Sequence, residues 1–110
     1  MITLDRSSAV ISSGKLHDYL LSPTHPIGRY KATFFRALGY EQSSWEILES
    51  DLRSMLSAEA ERSEVTIYGR KFEVRGTIVG PNGRSARLAA VWIILVGEAV
   101  PRFVTAFPED

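Results

Sequence analysis

Residues 72–96 read FEVRGTIVGPNGRSARLAAVWIILV, and their pattern decides the fold. Phe72, Val74 and Ile78 alternate with Glu73, Arg75 and Thr77, the period of a half-buried strand. Pro81-Asn82-Gly83 then marks a hairpin, because Asn-Gly favours the tight turn whose twist matches its flanking strands. Residues 88–96 follow, almost wholly apolar, as a central strand covered on both faces would be. Working outward, Val65-Thr66-Ile67-Tyr68 predicts a strand ending in a turn at Gly69. On the other side, Gly97-Glu98 turns the chain into a closing strand over 102–107.

The first half has a different period. Ser13 and Gly14 precede Leu16, Tyr19 and Leu20, which predicts a first helix of two turns. It stops by Ser22, since Pro23 disfavours helical geometry in the residue before it. A second helix is expected from His25-Pro26, with proline at the first helical position, His25 as N-cap and Gly39 as the stop. In the third, Ser43 and Glu46 form a candidate capping box, and Trp45, Leu48, Leu52, Met55 and Leu56 fall on one stripe. Helices followed by a meander predict an α+β fold. Three N-terminal helices pack on one face of a C-terminal antiparallel sheet of about four strands. A length of 110 residues fits one domain, 1–110.

Composition narrows the function classes. Hydrophobic residues make up 45% of the chain, enough for a packed core. Cysteine is absent, which excludes disulfides and thiol catalysis, and two separated histidines among scattered carboxylates offer no metal-ligand spacing. No cofactor motif is present. The first residues lack the pattern of a signal peptide, and 88–96 is too short to span a bilayer as a helix. A soluble cytoplasmic protein without a membrane partner is expected. Net charge is zero, which argues against indiscriminate nucleic-acid binding, but the charges are segregated. Residues 41–64 hold seven acids against Arg53 and Arg62, whereas 70–102 hold six basic residues against Glu73 and Glu98. His25, Arg29, Lys31 and Arg36 form a second basic stretch. Such a chain carries either an anion-binding face or two ordinary solvated surfaces.

Two residues break the bland pattern. On a wheel centred on Ile27 at ~100° per residue, Phe34, Leu38, Tyr30, Ala37 and Phe35 cluster within about 80° on either side. Arg29, Ala32, Thr33 and Arg36 lie opposite. Lys31 falls about 40° from Ile27, inside the apolar arc. Either its stem snorkels along the core, or its head serves a site needing positive charge. Its turn leans towards the helix N-terminus, so the ammonium is aimed at the region of His25. An imidazole there stands near free backbone N–H groups that favour anions, and Gly28 allows close approach of a ligand. The alternative for His25 is an ordinary turn residue, and His17 is read as surface. On the sheet, a two-residue Asn82-Gly83 turn pairs Arg75 with Ala90 and Glu73 with Trp92. Pairing across Gly97-Glu98 sets Thr105 opposite Ala90 and Phe103 opposite Trp92, with a bulge at Pro101 as the complication. Arg75, Thr105 and Trp92 then share one face, as a phosphate-and-base platform or as a half-solvated surface with one anchoring indole.

The stretches KLHDYLLSPTHPIGRYKATFFRALGY and YGRKFEVRGTIVGPNGRSARLAAVWIILVGEAVPRFVTAFP resemble a bacterial domain of unknown function associated with toxins. The marks are the His-Pro-x-Gly-x-x-Lys-Ala run and the terminal Pro-Arg-x-Val-Thr-Ala-x-Pro, within a likeness extending from Lys15 to Pro108. That domain occurs free-standing beside presumed antitoxins and as the C-terminal module of larger toxins. It is similar to the barnase, EndoU, colicin D and RelE class of metal-independent ribonucleases, which cleave RNA in a cleft beside an antiparallel sheet. The resemblance implies His25, Lys31 and Thr105 as catalytic residues. Phe107 and Ala90 depart from it, standing where a tyrosine and a threonine are expected. The expected chemistry is attack of a ribose 2′-hydroxyl on the adjacent phosphate. His25 transfers the proton, Lys31 and Arg75 offset phosphorane charge, Thr105 donates to a non-bridging oxygen, and Gly28, Arg29, Trp92 and Arg102 contact the substrate. Expected partners are RNA and a cognate antitoxin or immunity protein. The alternative is a non-catalytic module that binds such a partner or forms a homodimer.

Overall fold

A computed structural model of the chain describes residues 8–22, 24–26, 28–56 and 62–109, with the side chains of 28–30 and 62 excepted. Three helical segments precede a four-stranded antiparallel sheet, the α+β order expected. A short α1 at Ser13–Lys15 runs directly into a π-helical turn at Leu16–Leu20. It closes with Leu21 N–H donating to the Leu16 carbonyl at 2.9 Å. Next come α2 at Gly28–Ala37, a 3₁₀ turn at Gln42–Ser44 and α3 at Trp45–Met55. The strands are β1 at Arg62–Val65, β2 at Gly69–Val79, β3 at Ser85–Leu95 and β4 at Arg102–Pro108. They lie in sequence order, each pair antiparallel.

The core lies between the helices and one sheet face. Leu16, Leu20, Leu21, Phe35, Leu48, Leu52 and Leu56 meet Phe72, Val74, Leu88, Ala90 and Trp92, all essentially removed from water. Each buried Leu or Phe side chain is worth about 1.5–3 kcal/mol of transfer free energy, so this cluster sets the stacking of helices on sheet. The α3 stripe is as expected, but its start differs. Ser44 is the N-cap and makes no side-chain cap bond, because the 3₁₀ turn occupies the stretch where a Ser43–Glu46 capping box would form. The α2 stripe is also rotated. Ala32, Phe35 and Leu38 are buried whereas Ala37 is exposed, so the stripe is centred near Phe35, about 80° from Ile27 on the wheel. Lys31 is still inside it. Helix α2 ends in a Schellman motif. Tyr40 N–H bonds the Phe35 carbonyl at 3.2 Å, Gly39 N–H bonds the Arg36 carbonyl at 2.9 Å, and Gly39 takes φ 96°.

The β2–β3 hairpin corrects the expected register. Its loop has three residues, Pro81-Asn82-Gly83, not two. Gly80 N–H bonds the Arg84 carbonyl at 2.8 Å, Gly83 N–H returns to the Gly80 carbonyl at 2.9 Å, and Gly83 sits at φ 87°. A turn closed by one left-handed residue is the usual three-residue hairpin, and it moves the pairing by one. Val74 therefore stands opposite Ala90 and Phe72 opposite Trp92, while Arg75 pairs with Ala89. A one-residue slip sends every side chain to the other face.

Candidate functional site

Helix α2 carries Lys31 towards β4, and there its Nζ donates to Thr105 Oγ1 at 2.6 Å. Both residues are half-buried. Two local features bring them together. Lys31 lies in the inward stripe, so its stem follows apolar surface while its head needs a partner. On β4 the register shifts between Val91 and Trp92. Thr105 faces Val91 and Phe103 faces Trp92, so Val104 is the extra residue of a bulge. Phe103 and Ala106, three positions apart, consequently both point into the core, with Thr105 between them at its rim. The Phe103–Trp92 pairing is the expected one. Thr105 opposite Val91 replaces the expected Ala90, because the bulge falls at Val104, beyond Pro101.

The same ammonium lies 5.3 Å from the Tyr19 ring centroid. Partial burial works to raise the Tyr19 phenol, but hydrogen bonds from Lys31 and Thr105, with the charges of Lys31 and Lys15, outweigh it and hold the phenol below the ordinary tyrosine value. The effect of Lys31 is therefore felt at the phenol oxygen. On its other side Tyr19 meets His25 edge-to-face, ring centroids 5.0 Å apart. Ser22, almost fully buried, fixes that corner. Its Oγ accepts from Thr24 N–H at 3.3 Å and His25 N–H at 3.1 Å. These bonds close a turn over 22–25 ahead of the helix, and α2 begins at Gly28, so His25 is not its N-cap as expected.

Tyr19 and His25 line an open cleft of about 420 Å³ together with Ser12, Gly14 and Lys15. Three cationic or protonatable groups, Lys15, His25 and Lys31, thus stand around the Tyr19 phenol, and Lys31 also holds the Thr105 hydroxyl. Such a set suits an anion. A second cleft of about 380 Å³ lies between α3 and β2, lined by Asp51, Ser54, Met55 and 75–79. It offers the Asp51 carboxylate, a poorer match to phosphate. Among the described residues no three His, Cys, Asp or Glu side chains group as a metal centre requires, and no helix is long and apolar enough to cross a membrane.

The other sequence-nominated residues fall elsewhere. Arg75 is on the sheet face turned away from the core, chelating Glu73 Oε1 through Nη2 at 2.7 Å and Nε at 2.9 Å, with Glu109 Oε2 at 3.6 Å. The slipped register is the reason it does not share a face with Trp92. Trp92 has 0% exposure and packs edge-to-face on Phe103 at 5.3 Å, so no base can stack on it. Arg102 forms a two-toothed ion pair with Glu98, at 2.8 and 3.2 Å. Gly28 and Arg29 open α2 one turn before Lys31; the Arg29 side chain lies outside the described residues. Phe107 pairs with Ala89 on the outer face beside Lys71, Glu73 and Val91. Tyr19 was missed as a site residue, since its place in the run Leu16, Tyr19, Leu20 reads as core. The available signal was its polar end, which a half-buried tyrosine must satisfy.

No curated protein matches this chain. Among solved structures, a chain of the contact-dependent growth inhibition toxin–immunity protein complex from Klebsiella pneumoniae 342 shares its fold. The TM-score is 0.72 at 19% identity, over 91% of this chain and 99% of that one. The family described as a domain of unknown function, DUF6883, matches residues 4–110, and the chain belongs to that family.

Proposed function

We propose that this chain is a metal-independent, ribonuclease-like toxin domain that cleaves RNA through attack of a 2′-hydroxyl on the adjacent phosphodiester. The observation that carries the reading is the contact series His25–Tyr19–Lys31–Thr105, drawn from a loop, a π-helical turn, α2 and β4, at the edge of an open cleft. An imidazole can both take and give a proton, so His25 is assigned as the proton acceptor for the 2′-hydroxyl. Lys31 offsets the charge that develops on the phosphorane. Thr105 accepts from Lys31 and holds its ammonium in place, a positioning role. Gly28 and Arg29, one turn earlier on α2, are assigned to substrate contact. Arg75, Trp92 and Arg102 take no part in this reading.

The test is incubation of the purified protein with total RNA in EDTA, beside His25→Ala and Lys31→Ala. The wild type is expected to cut, with each variant slower by about 100-fold or more. Intact RNA with wild type, or variants as fast as wild type, overturns the assignment.

A second reading has its own observation. Val65, Ile67, Tyr68 and Val96 are all exposed at one end of the sheet. An apolar patch of this kind marks a contact surface. A cognate immunity or antitoxin protein fits that surface, in keeping with the fold shared with a chain of a toxin–immunity complex. A stable complex with such a partner, together with inert RNA assays, favours an interaction module without catalysis.

A further inference from the structure

We propose that Tyr19 is the general acid of this site, giving its phenol proton to the departing 5′-oxygen while His25 takes the proton of the 2′-hydroxyl. The inference rests on the ribonuclease reading and adds a residue and a division of labour to it.

Hydrogen-bond accounting leads to the donor. An ammonium has three N–H donors and no acceptor, so Lys31 only donates, and it donates to Thr105 Oγ1 at 2.6 Å. The Thr105 hydroxyl, already accepting, has one proton to give. The same ammonium lies 5.3 Å from the Tyr19 ring centroid, and Lys31 and Thr105 both favour the ionised phenol. Of these three side chains the Tyr19 phenol is the one whose proton loss its neighbours favour. Tyr19 also forms a wall of the cleft that holds His25, with the two rings in edge contact at 5.0 Å. A phosphodiester seated there meets an imidazole and a phenol at once.

Charge settles which group is acid and which base. A phenol has one O–H proton to give, whereas a neutral imidazole carries a ring nitrogen lone pair that can accept one. The groups facing Tyr19 are Lys15 from α1, His25 from the loop and Lys31 from α2. Asp18, its neighbour in sequence, is engaged by His17 at 2.6 Å. Proton loss therefore creates an anion among cations, which is the condition that makes a tyrosine a stronger acid.

The step balances. The 2′-oxygen forms a bond to phosphorus as its proton passes to His25, and the bond from phosphorus to the 5′-oxygen breaks as Tyr19 protonates that oxygen. The products are a 2′,3′-cyclic phosphate and a 5′-hydroxyl, leaving imidazolium and phenolate, which reset by proton exchange through water. No metal, oxidant or co-reactant enters.

The experiment compares wild type and Tyr19→Phe on one oligoribonucleotide that the wild type cuts. It is made either with ordinary oxygen or with sulfur replacing the 5′-bridging oxygen at the scissile link. A thiolate leaves without protonation, so general-acid catalysis is dispensable for it. Tyr19→Phe keeps the ring against His25, and its thermal midpoint checks that the fold is intact. The expected result is a loss of about 100-fold or more on the oxygen substrate and recovery to within about tenfold of wild type on the sulfur substrate. Equal losses on both, or no loss on either, sink the role of Tyr19 while leaving the ribonuclease reading in place. A wild type that cuts neither substrate removes both.

Discussion

Lys31 Nζ and Thr105 Oγ1 meet at 2.6 Å although 74 residues separate them in sequence. A half-buried ammonium is costly unless a partner replaces its lost water. Thr105→Val keeps the volume and removes that partner. We expect a stability loss of about 1–2 kcal/mol, read as a lower urea midpoint, with Thr105→Ser recovering most of it. RNA cleavage should follow the same order, at least tenfold slower in the valine variant than in the serine variant. A valine variant equal to wild type in both assays means that Thr105 does not hold Lys31.

Tyr40 is the second polar tie. Its hydroxyl donates to Asp51 Oδ2 at 2.5 Å and lies 3.3 Å from the Val79 carbonyl, joining α3 to the end of β2. Burial first, then the hydrogen bond to Asp51 and the charge of that carboxylate, push the phenol far above its ordinary range. A folded value raised above the unfolded one, about 10, means that the unfolded chain releases its proton first as pH rises. The stabilisation is thus complete below pH ~10 and declines above it. Tyr40→Phe should lose about 1–2 kcal/mol at neutral pH, and the gap between the two proteins should narrow in urea titrations above pH ~10. The difference isolates Tyr40, because Tyr19, shifted the opposite way, is common to both.

Two glycines beside the hairpin should fail for different reasons. A Cβ on Gly80 would stand 1.9 Å from the Leu38 carbonyl oxygen, so Gly80→Ala must part α2 from the hairpin, at a cost of about 1–3 kcal/mol or more. A Cβ on Gly83 meets nothing within 4 Å, but its φ of 87° disfavours alanine, at a cost of about 1–2 kcal/mol. Replacing Gly83 with Asn should be milder, since Asn tolerates this conformation, whereas Gly80→Asn should be worse than Gly80→Ala. Thermal midpoints of the four variants check the ordering.

What was legible in the sequence divides along physical lines. Element order and the α3 stripe were readable because they depend on local periodicity. Lys31 could be singled out because a charge inside an apolar stripe survives a rotated wheel. The face of Arg75 was not readable, since Asn82-Gly83 is equally at home in a two- or a three-residue loop, and the choice moves every β2 side chain. Trp92 was lost with it. The Ser43–Glu46 box failed because a 3₁₀ turn competes for those residues. Tyr19 was hidden by its own periodicity. Its hydroxyl became informative only when β4, far along the chain, brought Thr105 to Lys31.

The apolar end of the sheet makes the last prediction. Ile67 is 86% exposed and Tyr68 69%, yet the turn that carries them is firmly tied. Thr66 N–H and Oγ1–H both donate to the Gly69 carbonyl, at 2.7 and 2.8 Å, and Val96 N–H donates to the Tyr68 carbonyl at 3.0 Å. The backbone thus presents these side chains outward without their contributing to the core. Single exposed apolar residues are ordinary, but Val65, Ile67, Tyr68 and Val96 together form a surface that a partner would dehydrate. Ile67→Lys with Tyr68→Lys should leave stability within about 0.5 kcal/mol of wild type. If an inhibitor encoded beside this protein binds here, the double variant no longer co-elutes with it in size-exclusion chromatography. Its RNA cleavage then proceeds at the uninhibited rate in the inhibitor's presence. A variant that still co-elutes and is still inhibited places the partner on another face, and the cleft of Tyr19 and His25 becomes the next surface to mutate.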